Sequence, residues 1–335
     1  MTTDTGRERQ RDAAGQLRHL LTLEGLTREE IVRLLDQAQG YVRRPGELPA
    51  RDASLAGRTV ANLFFEPSTR TRVSFELAAG RLGADVVNLE MLSSSRIKGE
   101  SVLDTIYTLQ AMAVDVFVLR DAEPGLPAYI ARHVAPHVSV LNAGEAHLSH
   151  PTQGLLDALT IRQRLGDTAQ LTVAVVGDVR HSRVARSAWQ ALATLGVGEF
   201  RIVGPPELMP DDGEFRGARR CPILAQGLEG ADVVMALRIQ RERMAEARIP
   251  DAHTYCREFG ITTESLKLAR PGALVMHPGP MNRGVEISGE AADGPQSAIQ
   301  QQVANGVAVR MAVLATIVRH SQAQTPPATT GRTVG

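Results

Sequence analysis

The stretch Phe64-Phe65-Glu66-Pro67-Ser68-Thr69-Arg70-Thr71-Arg72 places hydroxyls and guanidiniums where an apolar run gives way to helical spacing. Residues 59–65 before it read as a strand, and residues 70–82 read as a helix. A helix N-terminus offers unpaired backbone N–H groups and the positive end of its dipole. Hydroxyls and an arginine converging there suit an anion, most naturally a phosphate. The same residues also fit an ordinary Ser/Thr cap with solvated arginines. Other motifs must decide.

Those motifs fall directly after apolar runs. Arg120 follows a run at 115–119. His150-Pro151-Thr152-Gln153 opens a helix, whose dipole disfavours an imidazolium, so a neutral His150 can donate to a carbonyl oxygen. Val176-Gly177-Asp178-Val179-Arg180-His181-Ser182-Arg183 ends one strand and opens a helix without the G-x-G-x-x-G of a dinucleotide site. Leu237-Arg238-Ile239-Gln240-Arg241-Glu242-Arg243 follows another strand. His277-Pro278-Gly279-Pro280 follows the last, its prolines holding backbone carbonyls at fixed geometry. Ser93-Ser94-Ser95-Arg96-Ile97-Lys98-Gly99-Glu100 is polar and aperiodic and reads as a mobile loop before a helix.

Singly, each motif has a bland reading as a cap, a solvated charge or a surface connection. Gathered in one cleft, Arg70, Arg120, Arg183, Arg238 and Lys98, with several hydroxyls and one histidine, suit small polyanions. Such a site stabilises developing negative charge and supplies no nucleophile. No carboxylate pair, Ser-His-Asp set or metal-ligand cluster competes with it, so neither a metal nor another cofactor is expected.

The elements that must position these residues follow a βα grammar. Strands are expected at 59–65, 85–89, 115–119 and 138–141, with helices at 70–82, 101–113 and 126–133. A second series has strands at 171–176, 199–203, 232–235 and 273–276 and a helix at 182–195. Near-continuous Val/Leu/Phe runs separated by helices mean parallel sheets covered on both faces. The expected fold class is α/β, with two Rossmann-like lobes, each a parallel sheet flanked by helices. Helix 151–165 and a long helix near 297–320 should link them. Residues 1–16 read as a flexible polar arm, 17–150 as the first lobe and 151–296 as the second. The helix near 297–320 completes the first lobe, and 321–335 read as a disordered tail. Residues 17–41 look helical, with a capping box at Thr27 and Glu30, and 204–217 read as a long surface loop. Two such lobes place a ligand cleft between them, at the carboxyl ends of the strands.

Composition narrows the classes. The chain has 335 residues, 43% hydrophobic and 22% charged, as in ordinary globular proteins. Lys+Arg and Asp+Glu balance at 37 each, and only 4% of residues are aromatic, which disfavours nucleic-acid or membrane-surface binding. Cys221 and Cys256 lack C-x-x-C spacing and fit a reducing compartment. No secretory leader is evident at the start, and Asp115 and Arg310 interrupt the longest apolar runs. A cytoplasmic protein is expected.

Ser68-Thr69-Arg70-Thr71-Arg72 resembles the carbamoyl phosphate signature of the aspartate/ornithine carbamoyltransferase family. Lys98-Gly99-Glu100, His150-Pro151-Thr152-Gln153, Arg238-x-Gln240-x-Glu242-Arg243 and His277-Pro278-x-Pro280 match further family blocks in order. The resemblance runs from about Leu17 to the terminal helix. It implies that Ser68, Thr69, Arg70, Thr71 and Arg120 hold the phosphate of carbamoyl phosphate. Thr71, Arg120 and His150 would polarise the carbamoyl carbonyl, with Arg70 also catalytic. Gln153 would orient the carbamoyl NH₂, which the backbone at Pro278 and Gly279 would also meet. Arg183, Arg238 and Gln240, with Lys98 and Pro280, would bind the acceptor. Ser94 and Lys98 would reach in from a neighbouring subunit of a homotrimer.

Ornithine enzymes of the family carry a serine-methionine-glycine loop and a His-Cys-Leu-Pro block. Here those places read Arg238-Ile239-Gln240 and His277-Pro278-Gly279-Pro280. An arginine suits a second carboxylate and repels a δ-ammonium. The resemblance is therefore to the aspartate-using members, which commit nitrogen and carbon to pyrimidine synthesis. Gly279 between the prolines, together with the polar start, resembles the branch that assembles with a dihydroorotase or dihydroorotase-like chain. The rival readings are a carbamoyltransferase for another acceptor, such as ornithine, and a non-catalytic nucleotide-binding assembly subunit. An intact Ser68–Arg72 block and the missing glycine fingerprint weigh against the second.

Overall fold

The computed structural model describes residues 6–44, 46–90, 101–211, 213–239 and 251–322; Ser94, Lys98 and Gln240 lie outside them. The first lobe is built from α1 (Arg28–Tyr41), β1 (Thr59–Phe64), α2 (Thr69–Arg81), β2 (Asp85–Glu90), α3 (Val102–Ala111), β3 (Val116–Asp121), α4 (Leu126–His133) and β4 (Ser139–Glu145). Its sheet is parallel, in the order β2-β1-β3-β4. α5 (Pro151–Leu165) then leads into β5 (Thr172–Val176), α6 (Arg183–Thr194), β6 (Glu199–Val203), β7 (Arg219–Cys221), α7 (Leu224–Leu228) and β8 (Val233–Ala236). α8 (Ala252–Phe259), β9 (Leu274–Met276), α9 (Gly289–Asp293) and the C-terminal helix α10 (Ile299–Gln322) follow. The second sheet is also parallel, in the order β7-β6-β5-β8-β9.

The strands are apolar on both faces because helices cover both. Within β3 every residue is buried, and β5 and β8 are buried from Val173 to Val176 and throughout. Two helices join the lobes. α5 is buried from Pro151 to Ile161 and packs on α6, while α10 packs on α1, α2 and α5. One continuous apolar core therefore runs from Val60 and Phe75 through Leu155 and Leu159 to Val173 and Leu192. By length and composition alone 299–318 could cross a membrane, but most of that span is buried inside the fold.

The N-terminal expectations need correction. Among residues 6–16, expected to be a flexible arm, Gln10 is 2% exposed, and its Oε1 accepts from the amides of Leu21 and Thr22 at 2.8 and 3.0 Å. Arg11 reaches the Glu30 carboxylate with both Nη atoms and also donates to Gly25. The arm is thus tied down by a buried amide and a bidentate ion pair. Residues 17–27 are not helical. Leu20 pairs with β4, its amide donating to Val140 and its carbonyl accepting from Asn142. The helix starts at Arg28, where Thr27 and Glu30 form the expected capping box. Gly25, at φ +83°, breaks any helix upstream. The expected loop at 204–217 contains a 3₁₀ turn, Pro206–Leu208, and buries Leu208 and Phe215. The sequence reading named no element at β7, α7, α8 or α9.

Candidate active site

A cleft of about 520 Å³ opens between the lobes at the carboxyl ends of the strands. Its first wall is the turn from β1 into α2. Ser68 is the N-cap of α2, yet its hydroxyl makes no capping bond, unlike Thr27, Ser101, Ser182 and Ser288 at other helices. The ordinary-cap reading therefore loses its premise, and the Ser68 hydroxyl is left for a ligand. Thr69, Arg70 and Thr71 follow on the first turn, and all line the cleft. Arg70 makes no hydrogen bond or ion pair among the described residues. Burial, then the Arg238 charge, lowers its pKa, so its cation is better placed when an anion arrives.

Arg120 sits where the β3–β4 register shifts between Leu119 and Asp121, which turns its side chain off the ladder into the cleft. Its Nη1 donates to the Ala143 carbonyl at 3.1 Å, and its Nη2 to Glu66 at 3.1 Å. Arg183, the first residue of α6, grips the same carboxylate with two bonds of 2.9 Å. Gly144 makes the pairing possible. A Cβ there would stand 2.8 Å from Arg120 Nη1 and 3.2 Å from Arg183 Cζ, and its φ is +128°. Ala146, at φ +44°, accepts from Arg183 Nη1, so a strained backbone position also serves this site. Burial would raise the Glu66 carboxyl, but Arg183 and Arg120 together hold it below its ordinary value. Arg120 falls to about 10, chiefly through burial and then its neighbour Arg183.

His150 caps α5 with its backbone, its amide donating to Ser187 Oγ at 2.9 Å. The ring is buried, and Nδ1 has no partner among the described residues. Desolvation, then Arg120, Arg310 and Arg183, push its pKa well below the ordinary value. The imidazole is therefore neutral, as the sequence suggested, and it can donate one N–H without carrying charge. One turn on, Gln153 lines the cleft with its Nε2 bound to Asp157.

The last wall is the loop after β9. His277 is buried, and its Nδ1 accepts from the Gly279 amide at 2.8 Å, which leaves Nε2–H for Glu286 at 3.2 Å. This pair shapes Pro278, Gly279 and Pro280, whose Gly279-Pro280 bond is cis. Gly279 has φ +67°, and a Cβ on it would stand 3.4 Å from Arg70 Cζ. The loop thus abuts Arg70. Arg238 enters the cleft from the end of β8, exposed and unpaired among the described residues.

All the expected residues within the described segments, from Ser68 to Pro280, therefore share one cleft. Ser94, Lys98 and Gln240 are not among the described residues. Sequence reading did not assign Glu66, Asp157 or Arg310. Arg310, on α10, is 4% exposed and lines the cleft with no hydrogen-bond partner among the described residues; its guanidinium lies 4.9 Å over the Phe75 ring. Gly306 makes its seat, since a Cβ there would meet Arg310 Nη1 at 2.6 Å. Burial lowers Arg310 to about 9. A cleft with this many cations and the neutral His150 imidazole can bind anions and stabilise an oxyanion. Among the described residues no group of three or more His, Cys, Asp or Glu side chains could hold a metal ion.

Residues 18–163 match the family model described as aspartate/ornithine carbamoyltransferase, carbamoyl-P binding domain. Residues 169–317 match its Asp/Orn binding domain. Aspartate transcarbamoylase from Trypanosoma cruzi, solved with carbamoyl aspartate and phosphate, superposes with a TM-score of 0.79 at 32% identity, covering 89% of this chain and 94% of that one. Ornithine carbamoyltransferase from Thermus thermophilus gives 0.79 at 29% identity, covering 90% and 99%. The enzyme from Pyrococcus furiosus, also for ornithine, gives 0.78 at 27% identity, covering 95% and 99%.

Proposed function

The chain belongs to the aspartate/ornithine carbamoyltransferase family, and within it we propose that it transfers the carbamoyl group of carbamoyl phosphate to L-aspartate. The observation that carries the acceptor assignment is the cation set on the second lobe. Arg183 and Arg238 both line the cleft, and among the described residues of that wall no free carboxylate could receive an ornithine δ-ammonium. Asp178 lines it too, but it is bound to the His181 ring at 2.9 Å. Two guanidiniums match two carboxylates.

In the proposed reaction, Ser68, Thr69, Arg70, Thr71 and Arg120 bind the phosphate group. Thr71, Arg120 and neutral His150 donate to the carbamoyl oxygen. The neutral α-amine of aspartate attacks the carbamoyl carbon, forming a C–N bond and a tetrahedral oxyanion. The C–O bond to phosphate then breaks, and the leaving phosphate takes the amine proton. Holding two anions side by side is itself a large part of the catalysis, since proximity can contribute roughly 7–11 kcal/mol. Carbamoyl aspartate and phosphate are the products, which places the reaction at the entry to pyrimidine synthesis.

The oligomer belongs to the same proposal. Ser94 and Lys98 are assigned to the neighbouring site of a cytoplasmic homotrimer. Val73 and Leu77, one turn apart on α2, and Val87 on edge strand β2 are exposed apolar residues of the first lobe. A second copy of the chain would cover them.

The deciding assay supplies the purified protein with carbamoyl phosphate and either L-aspartate or L-ornithine and follows product. Carbamoyl aspartate formation with aspartate alone is the expected result. Turnover confined to ornithine would overturn the acceptor assignment and leave the family intact.

A further inference from the structure

Asp157 lies on α5, one turn beyond Gln153 and two beyond His150, and is completely buried. Its Oδ1 accepts from Gln153 Nε2 at 3.0 Å and from Gln302 Nε2 at 2.8 Å, while Oδ2 has no partner among the described residues. Gln302, on α10, accepts in turn from the His277 amide at 2.9 Å. One carboxylate oxygen therefore joins the helix that opens the cleft, the C-terminal helix and the start of the Pro278–Pro280 loop.

This arrangement decides which end of Gln153 faces the cleft. An amide side chain has a donor end and an acceptor end, and Asp157 Oδ1 only accepts, whether the carboxyl is ionised or carries its proton on Oδ2. Flipped, Gln153 would set its Oε1 against a carboxylate oxygen. Gln302 cannot substitute for Asp157, because its NH₂ is already turned to Asp157 and its oxygen is held by the His277 backbone. Gln153 Oε1 has no partner among the described residues, and the residue lines the cleft, so its acceptor is presented to the ligand. Donors dominate the rest of the cleft. The nearby carboxylate, Glu66, is engaged by Arg120 and Arg183. An N–H on a ligand therefore meets few fixed acceptors, and Gln153 Oε1 is one.

We propose that Asp157 is a positioning residue that holds Gln153 with its carbonyl oxygen toward the cleft, so that the site selects a carbamoyl NH₂ over an isosteric methyl group. The inference rests on the carbamoyl phosphate reading and is independent of which amine accepts the group. A site built to hydrogen-bond one ligand group rejects the analogue lacking it, because a buried acceptor is left unpaired. The burial of Asp157 is itself costly. Desolvation pushes its carboxyl up to about 7 although both glutamines pull it down. Packing alone does not require a charge there, since an apolar or amide residue of similar size fills the volume without that cost.

The test compares phosphonoacetamide with acetonylphosphonate, stable ligands that share the phosphonate and carbonyl and differ in NH₂ against CH₃. Calorimetry on the full-length protein measures both, with inorganic phosphate as the control. Wild type should prefer the amide by on the order of 10-fold. Asp157→Asn can offer its own NH₂ to Gln153 and release the flip, and Asp157→Leu removes the acceptor. Both should bring the preference close to unity, with phosphate affinity and melting temperature retained. An undiminished preference in either variant overturns the proposal. So does a parallel loss of phosphate binding and stability in both, which would make Asp157 a packing residue. Failure of the acceptor assignment appears separately, in wild-type turnover. A wild type that binds neither phosphonate nor phosphate would overturn this inference together with the carbamoyl phosphate reading beneath it.

Discussion

Glu66 holds two guanidiniums that the proposed reaction needs for its anions, so an internal carboxylate engages their donors. Substrate must compete with that carboxylate. Removing its charge in Glu66→Gln should tighten inorganic phosphate binding by on the order of 10-fold, because two cations lose their internal partner. The same change should lower apo stability by about 1–2 kcal/mol, discounted because the side chain is 29% exposed. The sign with pH follows from the direction of the shift. Glu66 is held below its unfolded value, so its stabilisation is present at neutral pH and is lost as pH falls through the folded value. Melting curves of the two proteins should therefore converge in acid; unchanged phosphate affinity would show that Glu66 does not compete. Residues such as Arg120, His150 and Arg183 were legible because they follow strands. Glu66 was not, because its partner Arg183 is 117 residues away. Asp157 and Arg310 did leave a signal: each is an ionisable residue inside an otherwise apolar helix face, among Leu155, Leu156 and Leu159 or Val309, Val313 and Leu314.

At the scale of elements, the strands and the starts of α2, α5 and α6 were readable because apolar runs, caps and an N1 proline coincide there. The segment before α1 was misread. Leu17, Leu20 and Leu21 have helical spacing, but pairing of Leu20 with β4 satisfies the backbone and buries the leucines, each worth about 1.5–3 kcal/mol. His19 fastens this segment, its Nδ1 accepting from the Val140 amide at 2.9 Å. Burial, then Arg18, lowers its pKa to about 3. Between about pH 3 and 6.5 the unfolded chain binds more protons at His19 than the folded one, so acid destabilises through this residue. The slope is at most about 1.4 kcal/mol per pH unit. His150 acts in the same direction, whereas Asp157, raised to about 7, works in the opposite one, since its folded form holds the proton longer. His19→Asn keeps an acceptor for Val140 and removes the titration. Its stability deficit at pH 7.5 should shrink by pH 5 in denaturant melts. Parallel loss of stability in both proteins would show that His19 is not a source of acid sensitivity.

The whole molecule is two parallel sheets fused by α5 and α10, with the Ser68–Thr71 turn on one lobe and Arg183 and Arg238 on the other. That division was legible from the repeated βα grammar; the fusion was only partly so, because it depends on which buried faces of α5 and α10 meet. The proposal for the assembly has a consequence at this scale. If Lys98 of one copy completes the site that Arg70 occupies in the next, then Arg70→Ala and Lys98→Ala chains should each be nearly inactive alone. Mixed trimers would contain sites at which an Arg70-bearing chain meets a Lys98-bearing neighbour. In a cyclic trimer that holds both variants, one site in three should be native, whichever variant is in excess. Co-expressing the two variants with different tags and isolating the doubly tagged assembly tests this. It should turn over with wild-type KM values and a kcat per chain reduced in proportion to the native sites. An inactive mixed assembly would mean that each chain completes its own cleft. The exposed apolar residues Val73, Leu77 and Val87 would then require a different partner, the dihydroorotase-like chain being the one that the sequence resemblance proposes.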